Sequence, residues 1–314
     1  EWFLSDMIIV WMMNPSVTQI PDAHFIYEAR YKGTDVVVID PQYSATTVHA
    51  DHWLPISPGT DAALAMAVSR YIWESDSADW EYVKEQTDFP MLVRMDTGRF
   101  LRESDVEDGG RTDGLYLWDS VEDALTFAPG CEGDSGSRIR LGDIDPVIEG
   151  QYSIALANGK TVQVATVGSL IKEHIAPWDF TATSEITGLS VAQIKQFAEL
   201  FAKAERPMIL SSWGSNRFLH SDLMNRAKNL ILALKGAIGK KGAGLNATGW
   251  FGMEGFEMSA EMEHTSLSGM LTAVFHQFGI KDLFNAGVDL VARRKSTVEL
   301  MREAAKKGST DGFC

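Results

Sequence analysis

Met7 to Met13 is apolar throughout and ends in Asn14-Pro15; the Val-rich stretch Asp35 to Ile39 ends in Asp40-Pro41. Between them, Asp22 to Tyr31 carries apolar residues at helical spacing and stops at Gly33. Apolar runs without alternation suit strands covered on both faces, so the pattern predicts a β-α-β unit in a parallel, doubly wound sheet. Pro58-Gly59-Thr60-Asp61 then opens an amphipathic helix to about Glu74, with Thr60 or Asp61 as its cap and a carboxylate at its positive end.

From about Asp88 the texture changes to short β-like pieces, Met91 to Arg94 and Leu115 to Trp118, separated by stretches such as Asp108-Gly109-Gly110 and Gly130 to Gly136. Tyr152 to Ala157 and Thr161 to Val164 flank Asn158-Gly159, a hairpin signal. We read about 88–165 as an irregular β-containing insertion. Ser190-Val191-Ala192-Gln193 has the form of a capping box and introduces a helix to about Ala204, followed by the strand-like Met208 to Ser212. A helix from about Ser221 to Leu234 and the glycines 236, 239, 242 and 244 complete the pattern. It predicts an α/β protein of two Rossmann-like doubly wound domains, residues 1–205 with the insertion and residues 206–314 as part of the second, joined near Glu205 to Pro207. Neither an internal repeat nor a low-complexity segment is visible.

With 314 residues, nearly half of them apolar, the chain can bury a sizeable core. A net charge of −15, from 43 carboxylates against 28 Lys and Arg, argues against nucleic acid and anionic membrane as partners. A phosphate-bearing ligand must then be held locally, by backbone N–H groups at turns and helix starts. No apolar run approaches the roughly 20 residues needed to cross a bilayer. The opening Glu1-Trp2-Phe3-Leu4-Ser5-Asp6 reads as the middle of an element, so a front truncation is expected. Cys131 and Cys314 cannot supply an iron–sulfur cluster or a structural zinc site, and Cys131 sits in a loop-like Pro129-Gly130-Cys131-Glu132-Gly133.

Ligands of open α/β sheets sit at the carboxyl ends of strands, which puts Asn14, Asp40 and Trp213 to Asn216 in the candidate crevice. An acid directly after a strand, as Asp40 is, accepts hydrogen bonds from ribose hydroxyls, and Asp61 could receive the paired donors of a guanine edge. The alternative readings are a turn at Asp40-Pro41 and a helix cap at Asp61. Asn14-Pro15-Ser16-Val17-Thr18 replaces the glycine fingerprint of nicotinamide enzymes, and Gly239-Lys240-Lys241-Gly242 lacks the spacing of a phosphate-binding loop. His49 and His52 bracket Asp51 but supply two potential ligands at most, which favours a surface or packing role over a metal site. His220, beside Gly214-Ser215-Asn216, is a candidate phosphate or pterin contact. Trp11, Trp53, Trp73 and Trp80 read as core, whereas Trp213 stands at a strand end before glycine.

In order along the chain, Asp6-Met7-Ile8-Ile9-Val10-Trp11, Asn14-Pro15, Ile20-Pro21-Asp22-Ala23-His24, Val37-Val38-Ile39-Asp40-Pro41, His49-Ala50-Asp51 and Pro58-Gly59-Thr60-Asp61-Ala62-Ala63-Leu64-Ala65 resemble the dimethyl sulfoxide reductase family of molybdopterin enzymes. Glu185-Ile186-Thr187-Gly188, Trp213-Gly214-Ser215-Asn216 and Leu234 to Gly244 continue the resemblance. Glu85-Gln86-Thr87-Asp88, Leu92-Val93-Arg94, Thr97 to Glu103 and Tyr116-Leu117-Trp118-Asp119 are similar to the branch holding nitrite oxidoreductase, membrane-bound nitrate reductase, selenate and chlorate reductases, ethylbenzene dehydrogenase and dimethyl sulfide dehydrogenase.

The resemblance implies a molybdenum bis(molybdopterin guanine dinucleotide) cofactor, with Asn14, Asp40, Gly59 and Asp61 on one dinucleotide and Trp213, Gly214, Ser215, Asn216 and His220 on the other. It implies two-electron oxygen-atom transfer or hydroxylation on a nitrite- or nitrate-type small molecule, with the metal ligand and a [4Fe-4S] cluster upstream of Glu1. It also implies an iron–sulfur electron-transfer beta subunit, a haem gamma subunit as a further partner, and a bacterial or archaeal, extracytoplasmic setting. Two readings stand beside it: a non-catalytic scaffold of the same fold, and a nicotinamide-dependent dehydrogenase, against which the missing glycine fingerprint argues.

Overall fold

The first apolar run becomes strand β1 (Met7–Trp11), followed by α1 (Pro15–Thr18), α2 (Ile20–Tyr31), β2 (Asp35–Ile39), the short β3 (His52–Leu54), α3 (Asp61–Glu74) and α4 (Trp80–Gln86). An excursion follows: β4 (Leu92–Arg94), β5 (Arg99–Phe100), α5 (Glu103–Val106), β6 (Tyr116–Asp119), β7 (Ala124–Phe127) and the pair β8 (Gln151–Ala155) and β9 (Thr161–Thr166). The chain returns through α6 (Val167–Ile175), α7 (Phe180–Thr187), α8 (Val191–Lys203), β10 (Pro207–Ser211), α9 (Ser221–Leu234) and β11 (Gly244–Ala247). These elements come from a computed structural model that describes residues 1–129, 141–212, 214 and 217–247. Cys131 and Cys314 lie outside the described residues.

Strands β11, β10, β1, β2 and β3 lie side by side in that order, every pairing parallel. Alternate residues of the apolar runs serve opposite faces. Met7, Ile9, Trp11, Val37, Ile39 and Ile209 pack with α3, α8 and α9, while Ile8, Val10, Val36, Val38, Met208 and Leu210 pack with Ile26 and Ala29 of α2. Covering both faces is why these strands read as uninterrupted hydrophobic runs. Each such side chain removed from water contributes roughly 1.5–3 kcal/mol.

The excursion is built differently. Its strands form an antiparallel sheet in the order β5, β4, β9, β8 and a separate ribbon of β6 and β7. They close over a small core of Leu92, Leu101, Tyr116, Ile154, Leu156 and Val164, with Trp118 stacked on Tyr152 at 3.8 Å. The β8–β9 hairpin forms where Asn158-Gly159 predicts it. Its loop has three residues rather than two, because Leu156 N still donates to Lys160 O and Gly159 takes φ +78° in the left-handed region.

Two expectations are corrected. The junction at 205–207 does not divide the chain: β10 pairs with β1 along its whole length, and Glu1–Ala247 form one compact unit. The described part of 206–314 therefore completes the first sheet instead of opening a second. Thr60 is the N-cap residue of α3 but does not cap it with its side chain, since its hydroxyl donates back to Ser57 O at 2.7 Å. The predicted capping box at Ser190 and Gln193 is present in both directions.

Candidate functional site

Numbered within the sheet from β3, the strands run 3-2-1-4-5, so the order reverses between β1 and β10. The carboxyl ends of the two strands at such a reversal are the usual ligand position in open parallel sheets, which makes this edge the candidate crevice. The segments after β1, β2, β3 and β10 meet at this edge. A Cβ placed on Gly214 would stand 3.0 Å from Met12 O, and one placed on Gly59 would stand 3.2 Å from Phe218 Cδ1. Gly59 also has φ +83°, which suits glycine alone without strain.

Asn14 and Asp40 occupy the places expected of them. Asn14 is half-buried three residues beyond β1, and Thr46 Oγ1 donates to its Oδ1 at 2.6 Å, leaving the amide NH₂ as its means of holding a ligand. The same Thr46 hydroxyl accepts from Ser16 N at 3.1 Å, which ties the loop after β1 to the loop after β2. Asp40 is half-buried at the end of β2; its Oδ1 accepts from Gln42 N at 3.0 Å in a short turn, and its carbonyl accepts from Trp53 Nε1 at 2.9 Å. The turn reading and the binding reading of Asp40 are thus compatible.

Gly214 and His220 stand at this same edge. His220 is exposed at the N-cap position of α9 with φ +58°. Trp213, Ser215 and Asn216 lie outside the described residues. The expected division, with this group serving a separate dinucleotide on a separate domain, gives way because β10 and β1 belong to one sheet.

Asp61 lies beneath the crevice and not on its wall. It is 1% exposed, Trp11 Nε1 donates to its Oδ1 at 2.7 Å, and its Oδ2 has no hydrogen-bond partner. Burial pushes its carboxyl above the usual range, opposed by the Trp11 hydrogen bond and the nearby charge of Lys228. Lys228 is also buried, with Nζ 3.1 Å from Ser211 Oγ and 5.3 Å from the Trp11 ring centre. Burial lowers its amine to about 8, against the smaller raising effect of Asp61. Trp11, Ser211, Asp61 and Lys228 thus bring a carboxylate and an ammonium together under the ends of β1 and β10.

Sequence reasoning passed over Lys228, although its signal was present. Met224, Ala227, Ile231 and Leu232 form the buried stripe of α9, and a lysine sits in that stripe at helical spacing. The other candidates have structural work. Asp51 pairs with Arg30 at 2.7 Å and accepts from Val36 N, His49 lies against Tyr27 with ring centres 4.0 Å apart, and His52 lines a groove of about 220 Å³ between β3 and α8. Among the described residues no cluster of three His, Cys, Asp or Glu is placed to hold a metal. None of their helices is long and apolar enough to cross a membrane.

Residues 2–309 match the model of the molybdopterin oxidoreductase family. The chain is 39% identical over 267 residues to the perchlorate reductase alpha subunit of Dechloromonas aromatica, covering 78% of this chain and 29% of that one. It is 36% identical to the dimethylsulfide dehydrogenase alpha subunit of Rhodovulum sulfidophilum, with 79% and 27% covered, and 37% identical to the respiratory nitrate reductase alpha subunit of Haloferax mediterranei, with 78% and 26% covered. The chain therefore spans under a third of the length of these bacterial and archaeal relatives. It belongs to the molybdopterin oxidoreductase family, in keeping with its resemblance to the dimethyl sulfoxide reductase family.

Proposed function

We propose that the chain is part of the catalytic subunit of a molybdenum oxidoreductase and holds one guanine dinucleotide of a bis(molybdopterin guanine dinucleotide) cofactor on the carboxyl edge of its parallel sheet. The carrying observation is the reversal of strand order between β1 and β10 in the parallel sheet of a chain of this family. The residues present fit such a ligand. Gly59 and Gly214 let the loops of this edge pack closely, against Phe218 and Met12 O, Asp40 stands one strand from the reversal where a ribose acid belongs, and Asn14 is oriented by Thr46. Gly214 and His220 border the opposite side, Asp61 contributes from below through Trp11, and Trp213, Ser215 and Asn216 are proposed as contacts on the family resemblance alone.

When bound, the molybdenum cofactor supplies two-electron oxygen-atom transfer or hydroxylation; nitrite or nitrate is the substrate type that the branch favours. This chain's residues place and orient the nucleotide arm. An iron–sulfur beta subunit and a haem gamma subunit exchange the two electrons with the cofactor, supplying them for nitrate and receiving them for nitrite, a [4Fe-4S] cluster lies in another part of the subunit, and the setting is extracytoplasmic. Purification of the complete subunit followed by metal analysis and acid release of nucleotide tests the reading. Molybdenum with guanine nucleotide at about two per metal is the expected result; neither co-purifying would overturn it and favour the scaffold alternative.

A further inference from the structure

Lys228 is a buried charge that the packing of α9 does not need. An apolar side chain of similar length would fill the same stripe beside Ala227, Ile231 and Leu232. Its ammonium instead reaches Ser211 Oγ and the face of Trp11, the last residues of β10 and β1. Met12 and Ser212 follow these two residues directly and begin the crevice loops, so the ammonium lies one residue beneath the point where the strand order reverses. Asp61 acts on it electrostatically without forming an ion pair, being bonded to the Trp11 indole. The chain as a whole carries −15 and repels phosphates, so an anionic ligand gains most from a local, unscreened cation.

We propose that Lys228 is the anion-sensing cation of the crevice: held under the ends of β1 and β10, it favours a phosphate-bearing ligand above it and takes up a proton as that ligand binds. The proposal rests on the nucleotide reading of the crevice. Among the described residues the neighbours of the amine are few. Trp11 of β1 and Ser211 of β10 are uncharged, and Asp61 of α3 is the one charged side chain among the described residues that acts on it. Burial holds the amine at about 8, so near that pH a substantial fraction is neutral. A phosphate on the crevice floor acts in the same sense as Asp61 and raises the amine, across a dry interior that screens little. The neutral amine binds one proton from the buffer to become ammonium, and no other bond changes.

The sign follows directly. A group raised by the ligand adds to affinity in full below its free value and loses that contribution as pH climbs through the ligand-bound one. Titration calorimetry of the full chain with GDP, run in HEPES and in Tris, reads the proton count. If GDP raises the amine tenfold in proton affinity, uptake is about 0.4 proton near pH 8 and close to none near pH 7, and affinity falls about fivefold from pH 7 to pH 9. Guanosine, without phosphate, should show no uptake, and Lys228→Met should bind GDP more weakly and without uptake. GDP binding with no buffer-dependent heat near pH 8 overturns the proposal alone. Failure of the wild-type chain to bind GDP at any pH overturns the nucleotide reading and the proposal with it. The wild-type comparisons of buffers and ligands decide the matter even where the variant does not fold.

Discussion

In the antiparallel excursion, Arg94 meets Asp96 at 2.8 Å and Asp105 at 2.6 Å on the surface, and the carboxylate of Asp105 also closes the first turn of α5. In the parallel sheet, Lys228 and Asp61 are both enclosed and do not touch. The excursion keeps its charges partly exposed, where pairs form with little desolvation, and each pair is worth little. The sheet hides two charges where desolvation exceeds their mutual attraction, as the raised carboxyl of Asp61 and the lowered amine of Lys228 both record. The two regions sit on one chain, so general composition does not explain the difference. Its position at the carboxyl ends of the strands does, if the proposed ligand is held there: stability is then given up at a binding site.

The same contrast holds for packing. Ile9 is fully buried in the central strand, with β2 and β10 on either side, whereas Ile154 lies in the outer strand β8 with 7% of its surface exposed. Ile9→Ala should cost about 3–5 kcal/mol and Ile154→Ala about 2 kcal/mol, read by urea unfolding. Equal costs would mean that the excursion is as tightly filled as the sheet.

Lys228→Met tests the charge side of the comparison and should have the opposite sign. A lysine brought from 10.5 to about 8 by the fold gives up about 3 kcal/mol when protonated. Met removes that cost but loses the bond to Ser211 and the charge that offsets buried Asp61, so a gain of only about 1 kcal/mol at neutral pH is expected. The pH dependence follows from the same shift. The unfolded lysine binds more protons than the folded one between about 8 and 10.5, so wild-type stability should rise with pH across that window relative to the variant. A variant that loses several kcal/mol would show the ammonium to be a stabilising partner of Asp61.

Arg94→Ala should cost about 1 kcal/mol or less, and the cost should shrink in high salt, as exposed pairs do. A loss of several kcal/mol, insensitive to salt, would erase the distinction between the two regions.

How much of this could be read from the sequence divides along the same line. β1, β2, β10 and α9 were legible because each is a local run with one period. Their partnership was not: Met7 pairs with Pro207, and no local pattern reports contact across two hundred residues. Pro207 after a polar stretch therefore looked like a domain junction when it begins the neighbouring strand. α6 and α7 went unread although their caps were present, Thr166 accepting from Ser169 N, Asp179 from Ala182 N, and Gly188 closing α7 at φ +75°. At the candidate site, the places of Asn14 and Asp40 beyond β1 and β2 were legible because strand ends are local features, whereas Gly59 came only from the family resemblance. The job of Asp61 was not legible, since it depends on a tryptophan fifty residues earlier.

The smallest effect is expected at the hairpin, the most local feature of the excursion. Gly159 has φ +78° with nothing within 4 Å of a Cβ built there, so space is not the constraint and the backbone conformation is. Gly159→Ala should cost about 1 kcal/mol, the usual penalty for a β-carbon in the left-handed region less the entropy gained by restricting the unfolded chain. Asn tolerates that region through its own side-chain hydrogen bonds, so Gly159→Asn should cost less than Gly159→Ala. Urea unfolding of the two variants reads the difference, and calorimetry with GDP should return the wild-type affinity for both. A changed GDP affinity would couple the hairpin to the sheet edge and end the separation between a locally built excursion and a ligand-bearing sheet.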